Sequence, residues 1–546
     1  MKAYLLPKNK MAIECRPSDS GVVRRTVPGV RWSSARNLWH VSLSRITGNA
    51  VLALPGVECT EELVGAVESA KCSLLVRPFP PSYSPKTVPY KHQLSGMAHL
   101  YGRDRSAVVS EPGTGKTKMA IDAMSAMHID GLVSAVLIAC PVSVRNTWLR
   151  EFEMHCPVPY RVQMVSSTKD PDRPDFNGLN VLIVGVESLA AGGAYERCLA
   201  YMLMDTVPPH KRLMVVDEAH LIKTHNAKRT VNAKMLGSRC KYRWFLTGTP
   251  IANSIGDLYS LFDFLDPNII GLPSYGAFME RYAVYGGYNN YQVVDWMNTD
   301  EILEATHPYM FKALKKDCLD LPPKVYVSRE VMMEKEQERI YKALKKDKLS
   351  GNITTKGSLD LALRLHQVAG GWTPEMLPTG EVVGMAPVSI VPPKVAEVLE
   401  ILSECDGQSV IVWCAYRHEV SALVKAISKK LGKEKVVEIS GGVSESDRWE
   451  AVKAIQSGEA RVMVGTAASG GVGITLTAAS VVIYFSNTFK YVDRVQSEDR
   501  AHRPGQIRSV TIIDLVCPGT VDENIIQALK AKCDLSDWIV KGHSIQ

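Results

Sequence analysis

The sequence has no apolar run long enough to cross a membrane and no pair of cysteines spaced as C-x-x-C. A membrane-spanning helix needs about 18 or more apolar residues, and the apolar run near the start is too short for a signal peptide. We interpret the twelve scattered cysteines as reduced thiols, not as ligands of structural zinc. We therefore expect no membrane association and a cytoplasmic location in a bacterium or a virus-infected cell, or a nuclear one in a eukaryote.

Strong compositional bias, long tails and internal repeats of 20–50 residues are also lacking, which excludes disordered, fibrous and solenoid classes. Hydrophobic residues make up 46% of the 546 positions and charged residues 22%, as in ordinary globular proteins. The net charge of +7 permits a polyanionic partner without demonstrating one. This length predicts three or four structural units.

Two stretches of the chain alternate short β-branched runs with segments of helical length. In the first, the runs are SAVVS (106–110), AVLIAC (135–140), VLIVG (181–185), LMVVD (213–217) and RWFLTG (243–248). In the second, they are SVIVW (409–413), KVVEIS (435–440), RVMVGT (461–466), VVIYFS (481–486) and VTIIDLV (510–516). Such runs predict parallel strands buried on both faces, so the fold class is α/β with two lobes.

The remaining segments suggest a division into four parts. Residues 1–85 contain Trp32 and Trp39 in alternating stretches and end in a proline cluster, which predicts a small β-rich accessory domain. Its tryptophans fit a core, with base stacking as the alternative. We assign 86–270 to the first lobe, 271–392 to helical insertions and a linker, and 393–546 to the second lobe. Basic stretches at 311–317 and 339–348 are predicted to be helical.

The run SEPGTGKT, which ends at Thr117, is typical of a phosphate-binding loop between a strand and a helix. Gly113 and Gly115 would let backbone N–H groups approach phosphate oxygens. Lys116 would hold the β- and γ-phosphates, and Thr117 would bind magnesium. Ser110 stands where the strict pattern has glycine. The alternative is an ordinary glycine-rich turn.

Two acidic residues, Asp217 and Glu218, directly follow the apolar run LMVV. The carboxyl end of a parallel strand faces the ligand crevice. Asp217 is therefore suited to hold magnesium, and Glu218 to orient or deprotonate the attacking water. The alternative is a solvated turn.

Near the C-terminus, the segment QSEDRAHRPGQ (496–506) places Arg500 and Arg503 three residues apart, on one face of a predicted helix. Guanidinium groups can stabilise the charge that develops during phosphoryl transfer. Gln496 and Gln506 flank them. We expect one ATP site divided between two lobes, so that turnover depends on lobe closure. A surface helix with salt bridges is the alternative.

From about Pro89 to Ile526 the chain resembles the Snf2 family of superfamily 2 helicase-like ATPases. The resemblance rests on an ordered series of motifs: PYKHQ (89–93), ACPVSVRNTWLREF (139–152), VVDEAHLIKT (215–224), LTGTPIANS (246–254), LPPK (321–324), SVIVWCAYRHE (409–419), GTAASGGVGITLTAA (465–479) and QSEDRAHRPGQ. LTGTPIANS and RAHRPGQ separate this family from RNA helicases. Pro112, Val186 and Thr475 depart from the commoner family residues.

The resemblance implies two RecA-like lobes and a DNA-dependent ATPase that uses ATP and Mg²⁺. It implies catalytic roles for Lys116, Glu218, Gln496, Arg500 and Arg503. It implies an ATP site formed by Gln93, Glu111, Pro112, Gly113, Thr114, Gly115, Lys116, Thr117, Asp217, Glu218, Gly473, Arg500 and Arg503, with Gln93 contacting adenine and Thr117 and Asp217 the metal. It places DNA phosphate contacts at Ser143, Ser188 and Thr466.

The function implied by this resemblance is ATP-driven translocation along double-stranded DNA by a monomer, coupled to DNA remodelling, annealing or protein displacement. A forked or junction DNA substrate would fit the annealing-helicase subgroup, which the residue Thr475 and the segment VPGVRWSSARNLWHV (27–41) resemble. The alternatives are a strand-separating DNA or RNA helicase, the motor subunit of a larger DNA-processing complex, and a silent nucleic-acid scaffold.

Overall fold

A computed structural model describes residues 1–7, 9–72, 76–165, 169–249, 254–286, 292–347, 349–350, 353–354, 358–376, 382–470 and 474–541. The chain divides into two compact units. One contains Met1–Cys318 with the segment that starts at Leu535, and the other contains Leu319–Asp534. Within the described ranges, no helix combines the length and apolar character that a bilayer span requires.

The N-terminal part of the first unit is a small domain built on a five-stranded sheet. Its elements are β1 (Lys2–Leu6), β2 (Lys10–Glu14), α1 (Ser20–Thr26), β3 (Arg31–Ser33), β4 (Leu38–Ser42), α2 (Arg45–Leu52), β5 (Glu58–Cys59) and α3 (Glu61–Cys72). The strand order is β3-β4-β2-β1-β5, and only β1 and β5 are parallel. The prediction of a β-rich domain is confirmed, with three helices added.

The two tryptophans of this domain have different environments. Trp39 packs against the apolar core that Met11, Ile13 and Val41 form with the helices. Trp32 meets Trp39 edge to face, with 5.3 Å between ring centroids, and remains 45% exposed. Trp39 therefore fits the predicted core role, whereas Trp32 lies at the surface.

The rest of the first unit is a seven-stranded parallel sheet with helices on both faces. Its elements are α4 (Lys91–Gly102), β6 (Arg105–Ser110), α5 (Lys116–Ile129), β7 (Ala135–Cys140), α6 (Arg145–His155), β8 (Tyr160–Met164), β9 (Leu179–Gly185), α7 (Ala194–Leu203), β10 (Arg212–Asp217), α8 (Lys228–Gly237), β11 (Tyr242–Thr247), α9 (Gly256–Leu265), α10 (Pro267–Ile270), α11 (Tyr275–Tyr282), β12 (Ala283–Gly286), β13 (Gln292–Trp296), α12 (Thr299–Thr306), β14 (Met310–Ala313) and α13 (Lys315–Cys318). The order is β14-β6-β11-β10-β7-β9-β8.

Alternate residues of the central strands of this sheet enter two different apolar clusters. Leu137 and Ala139 of β7 belong to one cluster, and Val136 and Ile138 to the other. Because successive side chains of a strand point to opposite faces, the sheet is covered on both sides. The continuous apolar runs in the sequence have this cause.

The second unit repeats the architecture with a six-stranded parallel sheet in the order β15-β24-β23-β20-β22-β21. Its elements are β15 (Lys324–Glu330), α14 (Lys335–Asp347), β16 (Leu349–Ser350), β17 (Ile353–Thr354), α15 (Ser358–Ala369), β18 (Trp372–Met376), β19 (Val382–Pro387), α16 (Pro393–Glu404), β20 (Ser409–Cys414), α17 (Arg417–Leu431), β21 (Val436–Ile439), α18 (Glu445–Ser457), β22 (Val462–Thr466), α19 (Ala467–Gly470), β23 (Ala479–Tyr484), α20 (Tyr491–Ala501), β24 (Val510–Val516) and α21 (Val521–Lys541). All ten predicted strands are present, and the α/β class is confirmed.

The range 271–392 differs most from its prediction. The helix predicted over 311–317 is wrong for its first half, because β14 forms there and pairs in parallel with β6. A four-residue edge strand offers too short a pattern to distinguish from a helix. Strand β15 also lies in this range and joins the second sheet, and three antiparallel strand pairs, β12–β13, β16–β17 and β18–β19, accompany the helices in the described part of this range. The second predicted helix is confirmed as α14.

Candidate active site

The segment between β6 and α5 has the backbone of a phosphate-binding loop. Gly113 and Gly115 lie in the left-handed region, with φ of +82° and +87°, where side chains other than glycine are strained. Helix α5 begins at Lys116. The N–H groups of its first turn lack partners within the helix, so they can bind an anion.

A glutamine side chain packs against this loop. A β-carbon on Gly115 would lie 2.2 Å from Nε2 of Gln93, so the position also excludes larger residues by space. Gln93 is buried, donates from Nε2 to the Thr114 carbonyl (3.2 Å) and accepts from the Tyr90 N–H (3.0 Å). His92 Nε2 lies 2.9 Å from the same Thr114 oxygen. The segment predicted to contact adenine is thus attached to the phosphate loop.

Ser110 is accommodated by hydrogen bonds inside the loop. Its hydroxyl accepts from Thr114 Oγ1 at 3.1 Å, and its carbonyl accepts from the Lys116 ammonium at 2.9 Å. β14 and the residues that follow it hold Glu111 in place. The Glu111 N–H donates to the Ala313 carbonyl (3.2 Å), and its carboxylate accepts from the Lys315 N–H. Sequence reasoning missed this support, because β14 itself was not predicted.

Asp217 ends β10 and is buried. Its carboxylate accepts from the indole N–H of Trp148 (3.0 Å) and from the N–H of Glu218 (2.9 Å). Burial, together with the charge of Glu218, raises the pKa of Asp217 to about 6, although Lys116 opposes the shift. A buried carboxylate held by two neutral donors fits a divalent cation, which would favour its ionised form. Trp148 was not predicted, although a buried indole requires an acceptor.

Glu218 has an unusual backbone conformation for a residue with a long side chain. Its φ of +49° lies in the left-handed region, which costs about 1–3 kcal/mol for a residue other than glycine. The turn that follows places Nδ1 of His220 3.3 Å from a carboxylate oxygen of Glu218. Strain of this kind concentrates at functional sites, which supports assigning Glu218 to the reaction.

The first sheet brings the predicted ATP residues of the first unit together. Strands β6 and β10 flank β11, so the phosphate loop and Asp217 lie at the carboxyl edge, on either side of the turn that begins after Thr247. A β-carbon on Gly248 of that turn would be 3.0 Å from Cδ of Pro112. The turn and the loop are therefore in contact.

Both serines that are predicted to contact DNA lie on neighbouring turns at the carboxyl edge of the first sheet. Ser143 follows β7 and is exposed, and Ser188 follows β9 and is half-buried. The turns are joined by the Val142 N–H, which donates to the Glu187 carboxylate at 3.2 Å. The third candidate, Thr466, is the half-buried last residue of β22 in the second unit.

The two arginines that are predicted to assist catalysis, Arg500 and Arg503, lie at or just beyond the C-terminal end of α20. Arg500 lies in its last turn, but Arg503 lies beyond Ala501, where the helix ends, so the prediction that both occupy one helical face is wrong. Their guanidinium groups nevertheless converge, because each donates to the carbonyl of Ile474, at 3.2 and 3.3 Å. Gln496 contributes its main-chain oxygen, which accepts from Nε of Arg500 at 3.1 Å. Gly473 lies outside the described residues.

Another arginine of α20, Arg494, was not predicted and has a structural role. It donates to Glu498 at 2.6 Å and to both oxygens of Asp514 at 2.5 and 3.0 Å, and it stacks over Tyr484 at 3.7 Å. Lys324 also donates to Glu498, at 2.8 Å. Burial disfavours the Glu498 charge, but Lys324 and Arg494 outweigh it and lower the pKa of Glu498 to about 2.

Comparison with known families identifies the chain. A family model described as the SNF2-related domain matches residues 92–369, and one described as the helicase conserved C-terminal domain matches residues 393–505. The chain belongs to the SNF2-related family. The family inferred from the motifs is thereby confirmed.

Individual relatives are distant and mostly longer. Protein CHROMATIN REMODELING 4 of Arabidopsis thaliana is 24% identical over 84% of this SNF2-family chain and 21% of its own length. The ISWI chromatin-remodeling complex ATPase CHR11 of the same plant is 24% identical over 82% and 42%. The chain thus spans less than half the length of these relatives.

Another relative, a SWI/SNF-related matrix-associated actin-dependent regulator of chromatin subfamily A-like protein 1 homolog of Caenorhabditis elegans, is 25% identical over 96% of this chain and 74% of its own length. Its alignment leaves 4% of the chain uncovered, fewer residues than the N-terminal domain contains. Among solved structures, a Sulfolobus solfataricus SWI2/SNF2 ATPase core in complex with dsDNA is 25% identical, covers 85% of this chain and 96% of its own, and has a TM-score of 0.40.

Proposed function

We propose that this SNF2-family motor is an ATP-dependent double-stranded DNA translocase. The observation that supports this proposal is the order of strands in the first sheet. Strand β10, which ends at Asp217, lies directly beside β7, and the turn after β7 contains Ser143. Groups suited to ATP chemistry and groups suited to a phosphate backbone share the carboxyl edge of one rigid sheet. A structural change at the nucleotide can therefore reach a bound DNA strand through the two neighbouring β-strands β10 and β7.

In this proposal the phosphate loop binds ATP through its N–H groups, and Lys116 holds the β- and γ-phosphates. Mg²⁺, held by Thr117 and Asp217, would supply charge that neutralises the phosphates. Glu218 orients or deprotonates water, and its strained turn fixes the position of the carboxylate. Arg500 and Arg503 of the second unit stabilise the negative charge that develops on the transferred phosphoryl group.

Duplex DNA is the proposed track because the Snf2 resemblance implies it. The candidate contacts are hydroxyl groups at strand ends, which bind phosphates and do not read base sequence. Binding should therefore be independent of sequence and weaken with salt. Forked or junction DNA is a narrower substrate that the annealing-helicase resemblance favours. The products of each cycle are ADP, inorganic phosphate and a DNA strand displaced along the protein.

The test is the ATPase rate with blunt duplex, forked duplex, single-stranded DNA and RNA, measured beside displacement of a third strand from a triplex. We expect duplex DNA to stimulate ATP turnover more than RNA does, and triplex displacement to require ATP. The Glu218→Gln variant is the control, because it should bind DNA and ATP without displacing the third strand. Stronger stimulation by RNA, with strand separation, would instead support a strand-separating helicase.

A further inference from the structure

The N-terminal domain carries most of the net positive charge of the chain. Residues 1–85 include eleven Lys and Arg against six Asp and Glu, a surplus of five within a whole-chain net charge of +7. Four of the six acidic residues lie together between residues 58 and 68, at β5 and α3. A fifth, Glu14, accepts from the hydroxyl of Tyr4 at 2.8 Å. Lys10 at the start of β2 and Arg31 at the start of β3 belong to this basic surplus.

This domain is fixed to the first lobe. Ile46 of α2 enters an apolar core cluster of the lobe, and Arg45 forms an ion pair with Glu304 at 3.1 Å. Gly29 lies against Pro273, since a β-carbon there would be 2.4 Å from the proline ring. Strands β2, β3 and β4 consequently keep one orientation relative to the ATP-binding sheet.

A cavity of about 320 Å³ lies where strands β2, β3 and β4 meet the lobe. From the domain it is lined by Lys10, Arg31, His40 and Ser42, and from the lobe by residues of α9, α10 and the turn that follows. Arg31 and His40 are cross-strand partners on β3 and β4. Lys10 is the partner of Ser42 on the other side of β4. Three neighbouring strands therefore contribute polar side chains to one cavity.

The cavity is electrostatically positive. Within the described part of the chain, neither Lys10 nor Arg31 forms an ion pair, and the carboxylate in the lining, Asp263, is paired with Lys234 at 2.6 Å. Burial lowers the pKa of His40, and the charges of Lys10, Arg31 and Arg36 lower it further. Several cations therefore act on one point of the cavity.

We propose that this cavity binds phosphate groups of a nucleic-acid backbone and so gives the motor a second DNA contact outside its two sheets. Lys10 and Arg31 stand on strands that flank β4, so their main chains are about 10 Å apart. The long side chains of Lys10 and Arg31 can hold consecutive backbone phosphates across that span, and they can also converge on one phosphate ion, so the experiment separates the two. The choice of DNA as the polyanion rests on the proposed function.

The experiment measures duplex DNA affinity against salt concentration for the full chain and two double variants. Lys10→Ala with Arg31→Ala removes both cations from the cavity. Arg24→Ala with Arg25→Ala, on the exposed part of α1, removes the same charge elsewhere in the domain. Each phosphate contact contributes about −0.9 to the slope of log affinity against log salt. We expect the cavity variant to reduce that slope by about 2 and the affinity by about tenfold, with DNA-free ATPase and melting temperature unchanged.

The control variant should retain the wild-type slope. Equal slopes for the cavity variant and the wild type would overturn the proposal, as would equal losses in both variants. Inorganic phosphate is titrated separately by calorimetry, and its saturable binding with no change in the DNA slope would assign the cavity to a small anion and refute the backbone site. If the cavity variant reduces the salt slope of DNA affinity but duplex DNA does not stimulate the wild-type ATPase, only the translocase proposal is refuted. If duplex DNA stimulates the ATPase but the cavity variant keeps the wild-type slope, only this site is refuted.

Discussion

Asp217 in the first unit and Glu498 in the second are both buried carboxylates, but their surroundings are opposite. Asp217 accepts hydrogen bonds from an indole and a main-chain N–H, and its pKa is raised to about 6. Glu498 accepts from Lys324 and Arg494, and its pKa is lowered to about 2. The first carboxylate is ionised at a cost that a cation would remove, whereas the second is already neutralised by the protein.

This contrast separates the proposed ATP site from a network that holds a lobe together. Near Asp217, a strained Glu218 and two left-handed glycines keep groups at the carboxyl edge of the sheet. Near Glu498, Arg494 joins α20 to β24 through Asp514. Arg500 and Arg503 lie where that helix ends. Variants in the first region should change activity more than stability, and variants in the second should change stability.

The largest effect is expected at the phosphate loop. Lys116→Ala should reduce ATP turnover by about 10³ or more, because it removes a cation that acts on the transferred phosphate. Glu218→Gln should keep ATP binding and block cleavage. Lys211→Ala, at the amino end of β10, is the control and should turn over normally. Undiminished hydrolysis in either site variant, measured by phosphate release, would contradict the assigned roles.

The next effect is expected on stability in the second unit. Glu498→Gln should lower the free energy of unfolding by about 3 kcal/mol, because it leaves Lys324 and Arg494 without their shared anion. Since the Glu498 pKa is lowered, the wild-type advantage is present above pH 4.5 and is lost as pH falls towards about 2. Urea titrations of both proteins at pH 7 and pH 3 check this. An equal difference at both pH values would show that Glu498 acts by packing alone.

The smallest effect has the opposite sign. Without Mg²⁺, Asp217→Asn should raise the free energy of unfolding at pH 8 by about 1–3 kcal/mol, because it removes a buried charge whose pKa is raised. As pH falls from about 6 towards 3.8 this gain should disappear, because Asp217 becomes protonated first in the folded and then in the unfolded chain. Added Mg²⁺ should raise the melting temperature of the wild type and leave that of the variant unchanged. A variant that still responds to Mg²⁺ would show that the metal binds elsewhere.

The buried strands of both sheets could be predicted from the sequence, because each central strand is a continuous apolar run. The roles of the ATP-site residues stay predictions. Edge strands could not be predicted. β8 and β14 are short and half-buried, and their patterns do not distinguish strand from helix. The domain boundaries at 85, 270 and 392 stay predictions.

Residues that hold functional side chains from a distance were also beyond the sequence. The indole of Trp148, in the helix α6 that follows β7, donates a hydrogen bond to Asp217. The Ile474 carbonyl accepts hydrogen bonds from both Arg500 and Arg503. Neither contact follows from local spacing, because the sheet order that creates it is set by the whole fold. The roles of Ser143, Ser188 and Thr466 in DNA binding likewise stay predictions.

If Arg500 and Arg503 act as proposed, ATP bound by the first unit is cleaved only with their help. Single-turnover cleavage of ATP by Arg503→Ala on duplex DNA, with ATP affinity measured on the same sample, tests it most directly. We expect the variant to bind ATP with wild-type affinity and to cleave it more slowly by about 10³ or more. Cleavage at the wild-type rate, or a loss explained wholly by weaker ATP binding, would contradict this expectation.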